Sequence, residues 1–128
     1  MVTRNLEDSS LRNRLSILWL SGYAVSLTTI VLEVLSGAKQ GVAFGPGYLF
    51  ALSAISLIGP SMAFLSQVLG GRANRWSNIV MAAVVTVFSA IITVTEMVTV
   101  PAIALGPAAG VVFAILVVWY AWKSKPSP

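Results

Sequence analysis

The chain has no cysteine and no histidine among its 128 residues. It therefore forms no disulfide, and it offers no thiolate nucleophile, no thiolate or imidazole metal ligand, no histidine-bound haem and no Ser-His-Asp triad. Charged residues are also scarce, at 9% of the chain against roughly a quarter in an average globular domain. The remaining chemistry belongs to carboxylates, hydroxyls, amides, indoles, phenols and basic groups, and the composition predicts neither a metal nor a cofactor.

Apolar side chains make up 57% of the chain, and they lie in four long runs. A helix needs about 20 apolar residues to cross a hydrocarbon core of roughly 30 Å. The predicted spans of this all-α integral membrane protein are residues 15–35, 48–69, 77–98 and 102–122. They form a single domain, residues 15–122, between a polar N-terminal segment, residues 1–14, and a tail, residues 123–128. No cleaved leader is predicted, because a full-length apolar run follows the charged start.

The basic residues indicate how these spans are oriented. Seven of the eight lie in the N-terminal segment, the second connection and the tail, whereas the first and third connections hold only Lys39. The positive-inside rule then predicts an up-down-up-down four-helix bundle in the cell membrane with both termini in the cytoplasm. Positive charge is thus a topology signal, and no nucleic acid is expected as a partner. The side chains predicted to anchor this end at the lipid headgroups are Arg72, Arg75, Trp76, Trp119 and Trp122, with Trp19 as a further interfacial ring.

Glycine and proline mark the bends of the chain. Only residues 70–74 join the second and third spans, which predicts that these helices are antiparallel neighbours. Pro60, near the middle of the second span, predicts a kink, and Pro107 lies in the first half of the fourth span. A kink would open space or backbone carbonyls toward the neighbouring helices.

The third and first spans each carry a row of polar side chains. Thr86, Ser89, Thr93 and Glu96 follow at spacings of three, four and three residues, so they share one helix face. Gly22, Ser26, Thr29 and Glu33 repeat the arrangement at spacings of four, three and four. Because ionisable groups within spans usually face the bundle interior, the two rows predict an internal polar pocket.

The two glutamates are the candidate catalytic residues. Glu33 and Glu96 lie about 27–29 Å along their spans, so they should share one depth. Two carboxyl groups in one dry pocket titrate as a coupled pair, which suits one acid and one base. The side chains expected to contact a bound molecule are Tyr23, Ser26, Thr29, Ser53, Ser56, Thr86, Ser89 and Thr93.

A structural interpretation of the same residues stays open. Both glutamates lie about one turn from the outer end of their spans, where a carboxylate can reach the headgroups and anchor the helix. Hydroxyl side chains can bond back to the preceding turn, and their small size lets helices approach closely. The polar rows can therefore serve packing alone.

Three functions are compatible with these patterns. The favoured one is an acid-base enzyme that isomerises, cyclises or opens an epoxide of a lipophilic small molecule within the membrane, without a cofactor. The second is a proton-coupled transporter or channel subunit, which would form a homo-oligomer because one four-helix unit is small. The third is a structural membrane subunit with no site of its own. Bulky apolar residues toward the cytoplasmic end favour the enzyme, since a transport path would need polar groups there.

Two segments resemble a known group of proteins. Leu65–Ile79, LSQVLGGRANRWSNI, and Val117–Lys123, VVWYAWK, resemble a family of small four-helix bacterial and archaeal membrane proteins of unknown function with a DoxX-like layout. Residues 15–19, LSILW, fit the same pattern. The resemblance implies the four-helix fold, and it implies no activity.

Overall fold

The computed structural model describes residues 2–36, 46–99 and 104–124, and nearly all of them are helical. The four helices are α1 (Val2–Ser36), α2 (Pro46–Val68), α3 (Gly71–Thr99) and α4 (Leu105–Lys123). Within them the side chains of some residues, including residues 33 and 96, lie outside the described part. The predicted all-α class with four helices is confirmed for the described chain.

Three of these helices are long and apolar enough to cross a membrane, over Leu6–Leu32, Gly71–Val94 and Leu105–Lys123. In α2 the described apolar stretch, Ser53–Val68, is shorter. Large apolar side chains are exposed on the outer surfaces of all four helices. A water-soluble domain rarely exposes so much continuous apolar surface, whereas a lipid environment favours it. Length, composition and surface together indicate a helical membrane protein.

Two helix boundaries differ from the predicted spans. α1 begins at Val2, so the polar N-terminal segment is itself helical from that residue. α4 begins at Leu105, so Pro107 lies in its first turn rather than well inside the helix. A first-turn proline is tolerated because the amide hydrogen it lacks would have no partner within the helix. Pro60 does lie inside α2, which continues to Val68.

The link between α2 and α3 is as short as predicted. Only Leu69 and Gly70 separate the two helices, and the Leu69 amide still donates to the Leu65 carbonyl at 2.8 Å. Gly71 follows with a φ of +50°, in the left-handed region where a side chain would be strained. Glycine at this position therefore lets the chain reverse within a few residues.

Helix packing is uneven around the bundle. α4 packs extensively against α1 and α3, and α1 packs against α2, while α2 and α3 contact each other much less. The helices α2 and α3, predicted to be antiparallel neighbours, are joined by hydrogen bonds near their turn and pack little against each other elsewhere. The buried apolar core contains Leu15, Trp19, Met62, Ala63, Ala82, Ala114, Val117 and Ala121.

Glycines allow the close approaches between helices. A Cβ added at Gly59 would lie 2.9 Å from Tyr23 Cβ, and one added at Gly22 would lie 3.3 Å from Phe113 Cβ. A Cβ at Gly106 would collide with the Thr29 side chain. In lipid, where apolar burial does not drive helix association, such small-residue contacts let backbones pack closely. They position α1 against both α2 and α4.

Candidate functional site

A cavity of about 160 Å³ lies among the four helices, and every helix contributes to its wall. The wall is mostly apolar, and its hydroxyl-bearing residues are Tyr23, Ser26, Thr29, Ser56 and Ser89. Drug-sized ligands occupy pockets of roughly 300–1,000 Å³, whereas an apolar cavity of roughly 150 Å³ can hold benzene. The space, which is partly open to the outside, therefore suits a small molecule or one end of a longer one.

Small residues at the helix crossings leave this volume open. Gly22 and Gly59 line the cavity from α1 and α2, and Gly110 lines it from α4. A Cβ at Gly110 would lie 3.2 Å from the Ser89 hydroxyl, so α3 and α4 are in close contact at that level. Each glycine brings two backbones together and leaves no side chain to fill the space beside the contact. The site is thus a consequence of the same residues that pack the bundle.

Five of the eight predicted contact residues line this cavity. Two of them, Ser26 and Thr29, donate their hydroxyl hydrogens to backbone carbonyls of their own helix. Ser26 donates to the Gly22 carbonyl and Thr29 to the Val25 carbonyl, both at 3.0 Å. Their hydroxyl hydrogens are therefore engaged, and their oxygens remain acceptors for a ligand. Tyr23 adds a half-buried phenol to the same wall.

The other three predicted contact residues do not line the cavity. Thr86 and Thr93 donate to the carbonyls of Ala82 and Ser89 at 2.8 and 2.7 Å, and Ser53 lies on the exposed side of α2. On α3 the cavity face is formed by Val85, Ser89 and Ile92. The predicted polar row shares only Ser89 with that face, because the packing of α3 against α4 rotates the row partly away. Contact of Ser53, Thr86 and Thr93 with a ligand therefore stays a prediction, and it is not supported by this cavity.

The predicted acid-base pair lies outside the described side chains. Glu33 belongs to α1 and Glu96 to α3, and only the backbone of each is described. Their register can still be compared with the cavity wall. Residue 33 follows Thr29, and residue 96 follows Ile92, by four positions each, so each shares a helix face with a cavity-lining residue. The pairing of the two carboxylates stays a prediction.

A buried hydrogen-bond network at one end of the cavity was not predicted as a unit. The Trp19 indole donates to Asn78 Oδ1 at 2.7 Å, and the Ser66 hydroxyl donates to the same oxygen at 3.1 Å. Asn78 Nδ2 in turn donates to Asn74 Oδ1 at 2.7 Å, and Asn74 Nδ2 donates to the Ser66 carbonyl at 3.3 Å. The network therefore ties α1, α2 and α3 together.

Trp19 is the residue that connects this network to the cavity. Its side chain is 5% exposed and lines the cavity, so the prediction of an interfacial ring is wrong. The indole turns inward because Asn78 offers a buried acceptor opposite it, which satisfies an N–H group that lipid could not. The sequence signal was the pair Asn74 and Asn78, four residues apart on one helix face beside an apolar run.

The predicted anchor residues lie at the same end of the bundle, beyond the network. Trp76, Trp119 and Trp122 are all more than half exposed, and the Arg75 guanidinium lies 5.1 Å from the Trp122 ring centroid. Arg72 is exposed. Among the described residues, no three or more Asp or Glu side chains come close enough to hold a metal ion.

Comparison with known proteins adds no relative to this description. No protein-family model matches the chain, and no curated protein or solved structure is significantly similar to it. The fold and the site together define a class of protein: a small helical membrane protein with a cavity among its helices.

Proposed function

We propose that this chain is a multi-pass protein of the cell membrane that takes a small lipophilic molecule into the cavity among its helices. The observation that carries the proposal is the composition of the wall, in which apolar side chains from four helices surround a few hydroxyl groups. Such a wall favours an apolar body, and the hydroxyls can orient a single polar group on it. A lipophilic ligand would arrive from the bilayer itself.

The proposed topology is an up-down-up-down bundle with both termini in the cytoplasm. Three contacts support it. Arg12 on α1 donates to the Gln67 carbonyl near the end of α2, Gln67 donates to Asn13, and Arg75 near the start of α3 lies over Trp122 near the end of α4. These contacts join the first part of α1 to the end of α2, and the start of α3 to the end of α4. Most of the basic residues lie at this end of the bundle, which is called the basic end below. The positive-inside rule assigns such an end to the cytoplasm.

The proposed chemistry is acid-base catalysis without a cofactor. One carboxyl group of the Glu33 and Glu96 pair would donate a proton to an oxygen or alkene carbon of the ligand, and the other would accept a proton, giving isomerisation, cyclisation or epoxide opening. Support comes from register alone, since each glutamate follows a cavity-lining residue by one turn. The Tyr23 phenol would orient the reacting oxygen.

Transport and a purely structural role remain the competing proposals. The basic end of the cavity is occupied by Trp19, Leu18 and Val117, and Trp19 is held there by its bond to Asn78. A continuous polar path through the molecule would have to pass this packed layer. The enzyme or binding role is therefore preferred to transport, and the resemblance to the four-helix DoxX-like family stays a proposal.

Ligand entry can be tested through Trp19, the one tryptophan that lines the cavity. In a variant whose other tryptophans are replaced by phenylalanine, bromobenzene should quench Trp19 fluorescence in a saturable way, because a bound heavy atom would lie against the indole. Val85→Phe, which adds a ring to the cavity wall, should reduce the quenching severalfold. Val84→Phe adds the same ring on the exposed side of α3 and serves as the matched control. Equal quenching in the two variants would contradict the proposed binding.

The glutamates are tested separately from binding. With a small lipophilic epoxide as substrate, Glu33→Gln and Glu96→Gln should each lower turnover by about 10²–10⁴-fold, the range for loss of a general acid or base. Bromobenzene quenching should stay unchanged in both variants. If the unmodified protein binds bromobenzene saturably and turns over no epoxide, isomerisable alkene or cyclisable alkene, the cavity is a binding site and the catalytic proposal fails.

A further inference from the structure

Three cations rest on three aromatic rings at the basic end of the bundle. Arg14 Cζ lies 5.9 Å from the Tyr120 ring centroid, and Lys123 Nζ lies 4.9 Å from that of Trp119. Arg75 Cζ lies 5.1 Å from the centroid of Trp122. The cations come from α1, α3 and α4, and all three rings belong to the last turns of α4. These six residues are called the cation-aromatic cluster below.

The cluster carries positive charge that the protein does not neutralise. Across residues 6–124, where the side chains are described with gaps, the one ion pair joins Arg12 to Asp8 at 2.9 Å. None of the cluster cations takes part in it. Arg75 Nε is buried, so the two terminal nitrogens of its guanidinium are the donors that an external anion can reach. Aromatic faces hold a cation in place without occupying its N–H donors, so these donors stay available to an anion with oxygen acceptors.

The surroundings of the cluster indicate what kind of anion fits. The Trp119 and Tyr120 rings meet edge to face with centroids 4.9 Å apart, and Trp122 is 63% exposed. One turn earlier on α4, Ile115 and Leu116 expose apolar side chains to the lipid side. An occupant that contacts both the cations and this apolar surface needs an anionic head and an acyl chain. A free inorganic anion would contact only the cations.

We propose that the cation-aromatic cluster is a binding site for the phosphate-bearing headgroup of an anionic phospholipid. The phosphate accepts hydrogen bonds from the Arg75 guanidinium and the Lys123 ammonium, and the acyl chains lie along the exposed side of α4. Tyr120, Trp119 and Trp122 fix the cations at the depth of the headgroups. The site is independent of the cavity and of any chemistry there, since it needs only the packed ends of α1, α3 and α4 in a bilayer.

Arg72 provides a matched control for the charge. It lies three residues before Arg75 on α3, it is exposed, and it contacts no aromatic ring in the described part of the chain. Native mass spectrometry of the full chain in detergent should show retention of phosphatidylglycerol over phosphatidylcholine. Arg75→Gln and Lys123→Gln should each weaken phosphatidylglycerol binding about tenfold, because each variant loses a charge-assisted hydrogen bond to the phosphate. Arg72→Gln should weaken it less than about twofold.

The rings are tested without changing the charge. Trp122→Leu should weaken phosphatidylglycerol binding because Arg75 is no longer held, whereas Trp122→Phe keeps a ring and should retain most of the affinity. Thermal unfolding without added lipid checks that each variant still folds. Equal losses in Arg72→Gln and Arg75→Gln would overturn the proposal, because general surface charge would then account for the binding. Displacement of phosphatidylglycerol by millimolar inorganic phosphate would also overturn it, by identifying a phosphate site instead of a lipid site.

Discussion

Near the basic end, buried polar side chains bond from one helix to another, whereas two hydroxyls in the cavity wall bond back to their own helix. Asn78 accepts from Trp19 on α1 and from Ser66 on α2. Ser26 and Thr29, by contrast, donate to carbonyls one turn earlier on α1. The comparison shows that polar side chains can have different consequences: the group around Asn78 joins helices by hydrogen bonds, whereas the hydroxyls of Ser26 and Thr29 bond within α1.

The difference explains why the open volume lies where it does. Hydrogen bonds between helices in an apolar environment contribute on average about 0.6 kcal/mol each, up to about 1.7. Three such bonds, made by Asn78 and Asn74 with Trp19 and Ser66, hold α1, α2 and α3 at fixed separation. The cavity region has glycine contacts in their place, which bring backbones together at single points and leave space between them. The basic end should therefore be the rigid part of the bundle and the cavity region the adaptable part.

Replacing Asn78, the centre of the network, should have the largest effect on stability and is the strongest test of this difference between the two regions. Asn78→Leu keeps a similar volume but leaves the Trp19 indole, the Ser66 hydroxyl and Asn74 Oδ1 without their partner. We expect the free energy of unfolding to fall by about 2–4 kcal/mol, since each buried group left unpaired has a cost and the bonds themselves are lost. Unfolding by sodium dodecyl sulfate in mixed micelles, followed by circular dichroism, measures the change.

The control for that variant is a hydroxyl that makes no contact with another helix. Thr28 is exposed and donates to the Ala24 carbonyl of its own helix at 2.8 Å. Thr28→Val should change the free energy of unfolding by less than about 0.5 kcal/mol. If Asn78→Leu were as mild as Thr28→Val, the network would not be what holds the basic end.

A glycine substitution probes the cavity region with a smaller expected effect. Gly106→Ala should lower the free energy of unfolding by about 1–3 kcal/mol, the usual range for overpacking, because the added Cβ collides with Thr29. Thr29 is branched at Cβ and cannot turn away freely. Adding Thr29→Gly to the Gly106→Ala variant removes the side chain with which the new Cβ collides. The double variant should therefore recover part of the lost free energy of unfolding. Chemical unfolding of the single and double variants measures both steps.

Gly47 is the matched control, since no atom of the described residues lies within 4 Å of a Cβ added there. Alanine is favoured over glycine within a helix by up to about 1 kcal/mol, so Gly47→Ala should keep or raise stability. A loss in Gly47→Ala equal to that in Gly106→Ala would show that helix contacts are not the cause.

The smallest effects separate the two kinds of hydroxyl directly. Ser66→Ala removes a bond to Asn78 on another helix and should lower the free energy of unfolding by about 1 kcal/mol. Ser26→Ala removes only the bond to Gly22 on its own helix and should change stability by less than about 0.5 kcal/mol. The same unfolding titration compares Ser66→Ala with Ser26→Ala. A larger loss of stability in Ser26→Ala would mean that the cavity region depends on its hydroxyls more than the basic end does.

Part of the site could be predicted because it depends on a single helix. Ser26 and Thr29 follow from the periodicity of α1, and both line the cavity, as does the neighbouring Tyr23. For α3 the same reasoning succeeded only at Ser89, because periodicity identifies a face and not the direction in which packing turns it. A rotation of one residue position, about 100° in an α-helix, exchanges Thr86 for Val85.

Trp19 shows more clearly what the periodicity of a single helix cannot predict. Its position near the predicted start of a span indicates an interfacial ring, yet its partner is Asn78, 59 residues later in the chain. No local pattern connects two residues at that separation, so the inward orientation of the indole depends on how α1 and α3 are placed by their neighbours.

What the sequence by itself determined is the kind of molecule. Four apolar runs, with few charges and no cysteine or histidine, lead to an all-helical membrane protein because lipid requires backbone groups to bond within their own helix. What only the tertiary structure decided is which polar groups meet. The network around Asn78, the cavity bounded by glycine contacts and the cation-aromatic cluster each join residues from three or more helices or from distant turns. Their formation depends on helix separation and rotation, which the packing of side chains between helices sets and which no single helix encodes.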